Sequence, residues 1–295
     1  MACANSVIRN NPDRLGKELW SQKEEGEQVK VYRAFNERDE ANFIVGIIKR
    51  WMEEGGSLSD SAIIYRSNAQ SRILEDAILN SELPYRIYGG VRFYERMEIK
   101  NALAYAKLAI NQNNDSQFER VINVPTRGIG TKTMDQNKDT KVAKNIKAFF
   151  EIISQLQELD FNKDLDKFFE KAISLSGLKD FHGKEPGEKG RSRVDNLNEL
   201  ISATSEYFSL GEDNDDERSL LELFLDQASL DAGENQATEN EDAIQMMTLH
   251  SSKGLEFPLV FIAGCEEGLF PHRRSAEDPK QLAEERRLCY VGMTR

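Results

Sequence analysis

The segment Met246 to Gly264, MMTLHSSKGLEFPLVFIAG, sets three hydroxyls, an imidazole, a lysine and a carboxylate between two apolar runs. The runs read as strands, so Thr248, His250, Ser251, Ser252, Lys253, Gly254 and Glu256 fall on the connection where a strand ends. Side chains of these types suit contacts with phosphate and sugar, and the carboxyl ends of parallel strands are the usual ligand edge of an open α/β sheet. The same composition also fits an ordinary strand connection. A second stretch, EERRLCYVGMTR, closes on Arg295, whose planar guanidinium could bridge two oxygens as a lysine cannot. Glu284, Glu285, Arg286 and Arg287 in it lie on a predicted helix and read as a salt-bridged surface.

Several chemistries are excluded. The sequence has no GxxxxGK[ST] phosphate loop, no HExxH and no GxSxG, and its histidines are His182, His250 and His272, so no self-contained hydrolase is visible. Cys3, Cys265 and Cys289 are scattered without CxxC spacing, which favours inert thiols over disulfides or a zinc site. No run approaches the roughly 18 apolar residues of a membrane span, and the first residues lack a signal-peptide core, so the expectation is a cytoplasmic protein. The net charge of −12 argues superficially against nucleic acid. Its distribution does not, since Glu212 to Asp242 alone carries −11 while Arg120 to Lys147 carries +5.

These side chains need a scaffold. VKVYRAFN (Val29 to Asn36), SAIIYRS (Ser61 to Ser67) and LPYRIYGG (Leu83 to Gly90) read as strands. They alternate with the helical patterns ERDEANFIVGIIKRWMEEGG and AQSRILEDAILNSE, which is the βαβαβ grammar of a parallel sheet. From about Val91 to Asn240 the period becomes helical, with polar loops such as HGKEPGEKGRS, before DAIQMMTLH and PLVFIAGC return as strands. The simplest topology is one α/β domain, split in sequence by a helical insertion, with strands from both sides sharing one sheet.

Read together, TLHSSKGLEF and EERRLCYVGMTR resemble motifs V and VI of the UvrD/PcrA/Rep group of superfamily 1 DNA helicases. AIIYRSNAQSRILEDAI, PYRIYGGVRFYERMEIKNALAY and NVPTRGIG resemble the same family's intervening motifs in the same order. The resemblance implies a RecA-like parallel-sheet domain, 2A, incomplete and split into residues 1–90 and 241–295, around a mainly helical subdomain, 2B, at 91–240. It implies part of an ATP-dependent 3′-to-5′ helicase of DNA repair and replication. Its cofactor would be ATP with Mg2+, and its partners single-stranded DNA, duplex–single-strand junctions and possible repair proteins, with no membrane. By the same resemblance, Glu256 holds the ribose with Gly254 beside it, and Arg295 is the arginine finger on the γ-phosphate. Thr248, His250 and Asn68 touch single-stranded DNA, with Arg66, Arg72 and Arg92 as weaker candidates. Gly128, Ile129 and Gly130 form the turn that meets the duplex, with Arg127 and Lys132 beside them.

The departures carry their own expectations. The family's phosphate-loop motor domain has no counterpart here, the arginine-bearing motif that opens 2A would precede Met1, and further family residues would follow Arg295. The segment after Gly130 is shorter than the family pattern. The chain is therefore expected to be an internal slice holding half an ATP site, inactive as an ATPase by itself. The alternative is a freestanding, non-catalytic DNA- or protein-binding module derived from a helicase, and the flanking genomic sequence separates the two. A helicase–nuclease subunit is the third option, but no nuclease-like acidic motif is present.

Overall fold

The computed structural model describes residues 1–12, 16, 20, 26–129, 140–210, 218–233, 237–238 and 241–295. They form two compact units, one of residues 1–92 with 235–295 and one of residues 93–234.

The first unit is built on four parallel strands, β1 (Ser61–Tyr65), β2 (Tyr85–Ile87), β3 (Ile244–Thr248) and β4 (Leu259–Ile262), in the order β2-β3-β1-β4. Strands from both sides of residues 93–234 thus share one sheet, with Tyr65 opposite Thr248 and Ile64 opposite Ile262. Every residue of β1 is buried, as expected for a central parallel strand covered on both faces. On one face Ile63, Tyr65, Ile87 and Met246 pack against Ala41, Ile44, Val45 and Ile48 of α2 (Glu37–Glu53) and Leu74 and Ile78 of α3 (Ser71–Leu79). On the other, Ala62, Ile64, Met247 and Leu249 pack with Leu288 and Cys289. Helix α2, the first after the short α1 (Ala2–Ile8), starts where the sequence signals it. The Asn36 side chain accepts from the Asp39 amide at 2.8 Å, and Glu37, Asp39 and Glu40 complement the helix dipole.

Val29 to Asn36 is not a strand. The segment runs without ladder bonds ahead of α2, leaving Val31 92% and Phe35 93% exposed. Local contacts hold its end, since the Tyr32 hydroxyl and the Phe35 amide both donate to Asp39 and the Tyr32 ring stacks on Phe43. Apolar alternation specifies an extended chain, but a ladder also needs a neighbouring edge, which local pattern cannot supply.

The second unit is helical: α4 (Met97–Ile110), α5 (Asp115–Val121), α6 (Thr140–Gln157), α7 (Leu165–Ser176), α8 (Leu178–Gly183), α9 (Gly187–Leu210) and α10 (Leu220–Gly233). Buried alanines 102, 104, 106 and 109 of α4 allow close approach, and its core is shared with Phe149, Phe168, Phe169, Leu197, Leu200 and Phe224. HGKEPGEKGRS is mostly not a loop, because α8 runs through Gly183 and α9 already begins at Gly187. Gly190 allows this, since a Cβ there would lie 2.3 Å from the Glu185 carbonyl oxygen. Among the described residues no helix is long and apolar enough to cross a membrane.

Candidate functional site

All four strands run the same way, so residues far apart in sequence gather at one carboxyl edge. Beyond β1 come Arg66, Ser67 and Asn68, beyond β2 Tyr88 and Gly89, and beyond β3 Leu249, His250 and Ser251. The ladder reaches to this edge, where the Leu249 amide donates to the Tyr65 carbonyl at 2.9 Å and the Tyr88 amide to the Met246 carbonyl at 2.8 Å. Thr248 is half-buried, with its Oγ1 3.1 Å from the Ser251 Oγ and accepting from the Ser251 amide. His250, Gly254 and Glu256 are exposed. Gly254 has φ +89, and nothing lies within 4 Å of a Cβ built on it, so the loop is open beside Glu256.

Arg295 follows α12 (Pro279–Gly292), the second of two helices after β4; the first is the short α11 (Arg273–Ala276). Its Nη1 donates to the Leu255 carbonyl at 3.2 Å and its Nε to the Val291 carbonyl at 2.9 Å. The last residue is thereby placed against the loop that carries Gly254 and Glu256. Gly292 permits this contact, because a Cβ there would lie 2.6 Å from Leu249 Cδ2.

Asn68 opens a short 3-10 turn, Asn68–Gln70, capped by Ser67. Its geometry is held by Gln70, whose Oε1 accepts from the amides of Arg66 and Ser67 at 3.0 and 2.9 Å. Gln70 in turn lies against Gly264, where φ is +68 and a Cβ would overlap the Gln70 amide. The Gly264 amide donates to Glu40 Oε1 at 2.9 Å. Burial raises the Glu40 pKa, opposed by that amide and reinforced by the nearby carboxylates Glu266 and Glu37. A carboxyl with a raised native pKa contributes stability that is fully present below its unfolded value and lost as pH rises through its native value. Glu40→Gln keeps an acceptor for Gly264 and removes the ionisation. Thermal melts are therefore expected to show the variant gaining on the parent chain as pH rises from below 4.5 to neutral. A difference that does not vary with pH would refute this.

Arg66, Arg72 and Arg92 do not present their guanidinium groups at the edge. Arg66 donates through Nε to both Glu285 oxygens at 3.1 Å and through Nη2 to Oε1 at 3.0 Å. Glu285 is buried and also accepts from the His272 amide and the Ser275 hydroxyl, so it is not the surface carboxylate its pattern suggested. Its neighbours follow the pattern more closely, with Glu284 and Arg287 paired at the surface. Arg72 is buried against Asp76 at 2.9 Å, and Arg92, 3% exposed, lies over the Tyr85 ring. A cation needs a local counter-charge or aromatic face when buried, and each of these has found one.

In the helical unit the TRGIG turn divides the same way. The Arg127 guanidinium points inward, donating to the carbonyls of Val121, Ile122, Pro125 and Ser176 and to the Tyr105 hydroxyl, with the Phe149 ring 5.4 Å away. Ile129 is 3% exposed and belongs to the core, and its amide is directed to Asn123 Oδ1 at 3.3 Å. Gly128 is at the surface, as is Thr126, and has φ +68 with open space around it. Gly130 and Lys132 lie outside the described residues, as do the other residues up to 139 of the segment read as shorter than the family pattern; its remainder enters α6. Asn123 organises the turn by accepting from the amides of Arg127 and Ile129, a role not visible in sequence because asparagine suits many turns.

Cys3 and Cys265 are exposed and Cys289 is half-buried. Desolvation of the Cys265 sulfur, which is set against the Ile262 carbonyl, pushes that thiol up to about 12 although the residue as a whole is exposed, and burial raises Cys289. Among the described residues no cluster of three or more His, Cys, Asp or Glu side chains is placed to hold a metal ion.

A parallel sheet covered on both faces, with polar loops from three strands and a terminal arginine at its carboxyl edge, is a RecA-like α/β architecture. Residues 1–295 match the profile of the UvrD-like helicase C-terminal domain, and the chain belongs to that family. DNA helicase II of Escherichia coli strain K12 is 47% identical over 318 residues, covering all of this chain and 44% of that protein. DNA helicase II of Haemophilus influenzae is 48% identical over 99% of this chain and 43% of the relative. ATP-dependent DNA helicase PcrA of Staphylococcus aureus strain Mu50 is 37% identical with the same coverage. The chain thus spans less than half the length of these relatives.

Proposed function

We propose that the chain is the second motor domain, 2A, with its helical 2B insertion, of an ATP-dependent 3′-to-5′ DNA helicase acting in repair and replication. Residues 1–90 and 241–295 would be 2A and residues 91–240 2B. Family membership supports the class, and the contact between Arg295 and the Leu255 carbonyl is the observation that carries the site. It holds the guanidinium proposed for the γ-phosphate against the residue that precedes Glu256, whose carboxylate is proposed for the ribose. ATP with Mg2+, when bound, supplies the phosphoryl group whose hydrolysis drives translocation. The loop at Gly254 has the open space a sugar needs. Arg295 would exchange neutral carbonyl partners for phosphate oxygens, and charge-assisted bonds of that kind are roughly twice as strong. Thr248, His250 and Asn68 would hold single-stranded DNA, and the exposed backbone at Gly128 would meet the duplex at a junction.

The residues present fit half of a nucleotide site. The purified 295-residue chain is therefore expected to show no ATPase activity, with or without DNA. Fused behind the first motor domain of the Escherichia coli relative, it should give DNA-stimulated turnover. Arg295→Ala should lower that turnover by about three to five orders of magnitude, the range for arginine fingers. Turnover by the chain alone that disappears on Arg295→Ala would overturn its inactivity, and a fusion indifferent to Arg295→Ala would overturn the finger.

A further inference from the structure

The carboxyl edge holds one aromatic side chain that the reading above does not use. Tyr65 and Tyr85, within the strands, are 0% and 1% exposed, whereas Tyr88, immediately after β2, is 42% exposed. Its backbone is still tied to the sheet through the Met246 carbonyl, so the ring stands on a rigid strand end and not on a free loop. Because β2 neighbours β3, Tyr88 continues the row formed by Asn68 after β1 and Thr248 to Ser251 after β3. Gly89, with φ +72, turns the chain away at once. A Cβ there would lie 3.4 Å from Ser251 Oγ, which shares its hydrogen bond with Thr248. The turn itself, Gly89 and Gly90, carries no side chain.

We propose that Tyr88 is a base-stacking platform for single-stranded nucleic acid. The proposal rests on the single-strand reading of Thr248, His250 and Asn68. Thr248 and Asn68 are uncharged hydrogen-bonding groups suited to sugar and phosphate, and neither offers a flat ring to the face of a base; the imidazole of His250 is the one ring among the three. An exposed phenol at the end of the same row supplies that surface, and it does so for any base, because every base has a π-face. Arg66 and Arg92, turned inward onto Glu285 and Tyr85, leave stacking to carry a larger share of affinity at this edge.

The test is fluorescence anisotropy of labelled oligo(dT) and of an equally long strand made of abasic sites, titrated with the full chain and its variants. Tyr88→Ala should weaken oligo(dT) binding about tenfold. Tyr88→Phe should bind like the parent chain. The abasic strand should bind both equally, and the tenfold loss should persist when salt is raised. Unfolding midpoints of both variants should match the parent, since the ring packs into no core. If Tyr88→Ala binds oligo(dT) as the parent does while Thr248→Ala or Asn68→Ala weakens it, the platform is wrong and the single-strand reading stands. If the parent chain binds oligo(dT) no better than duplex of the same length and none of these variants changes that, the single-strand reading fails and the platform with it.

Discussion

Glu285→Ala lowers the unfolding free energy of the sheet unit by about 3–5 kcal/mol, the usual consequence of leaving one buried charge without its partner. The carboxylate side chain is 5% and the Arg66 side chain 16% exposed, so little water can take the place of the lost oxygens around the guanidinium. The Ser275 hydroxyl and the His272 amide lose their acceptor as well. Glu285→Gln, which keeps an acceptor but not the charge, is expected to fall between. Joint replacement by Arg66→Met and Glu285→Leu should recover part of the loss, because no charge is then stranded. Urea or thermal unfolding followed by circular dichroism measures all of these. A loss below about 1 kcal/mol, the size of an exposed pair, would mean that solvent reaches the pair and that it does not hold α12 to the end of β1.

Arg127→Ala is expected to destabilise the helical unit by several kcal/mol, on the order of 1–3 kcal/mol for each buried partner left unsatisfied. Four carbonyls and the Tyr105 hydroxyl meet at this one guanidinium. Arg127→Lys separates this role from a phosphate contact. An ammonium keeps the charge that phosphate would feel but cannot form the planar fork, so the variant should recover less than half of the lost stability. If Arg127→Ala leaves the unfolding midpoint unchanged and weakens binding to a duplex–single-strand junction, the side chain serves DNA and its inward bonds are incidental. Charge reversal at Arg127, by itself, would not test a DNA contact, because it would first disrupt the turn that presents Gly128.

Much of the architecture is legible in the sequence. The strands at Ser61, Leu83, Asp242 and Pro258 and the helix after Asn36 follow from apolar period and capping, which act over a few residues. The extended run at Val29 shows the limit, since the pattern was right for a strand while the ladder partner was not local. The closing helix was also legible, but not that Glu285 would turn inward while Glu284 stays at the surface.

The sequence by itself determined which residues stand at the strand ends, that the sheet is parallel and interrupted, and which family the motifs resemble. Parallel strands carry their carboxyl ends to one side, so Asn68, Thr248 and His250 were bound to share an edge once their strands were assigned. Only the tertiary structure decided where the cations point. Arg66 meets a carboxylate 219 residues away, and Arg127 meets the Ser176 carbonyl 49 residues on. The cost of burying a charge depends on partners brought by other elements, and no local pattern encodes them. The same long-range packing leaves Arg295 beside Leu255 and Tyr88 open to solvent, one proposed to meet phosphate and the other a base.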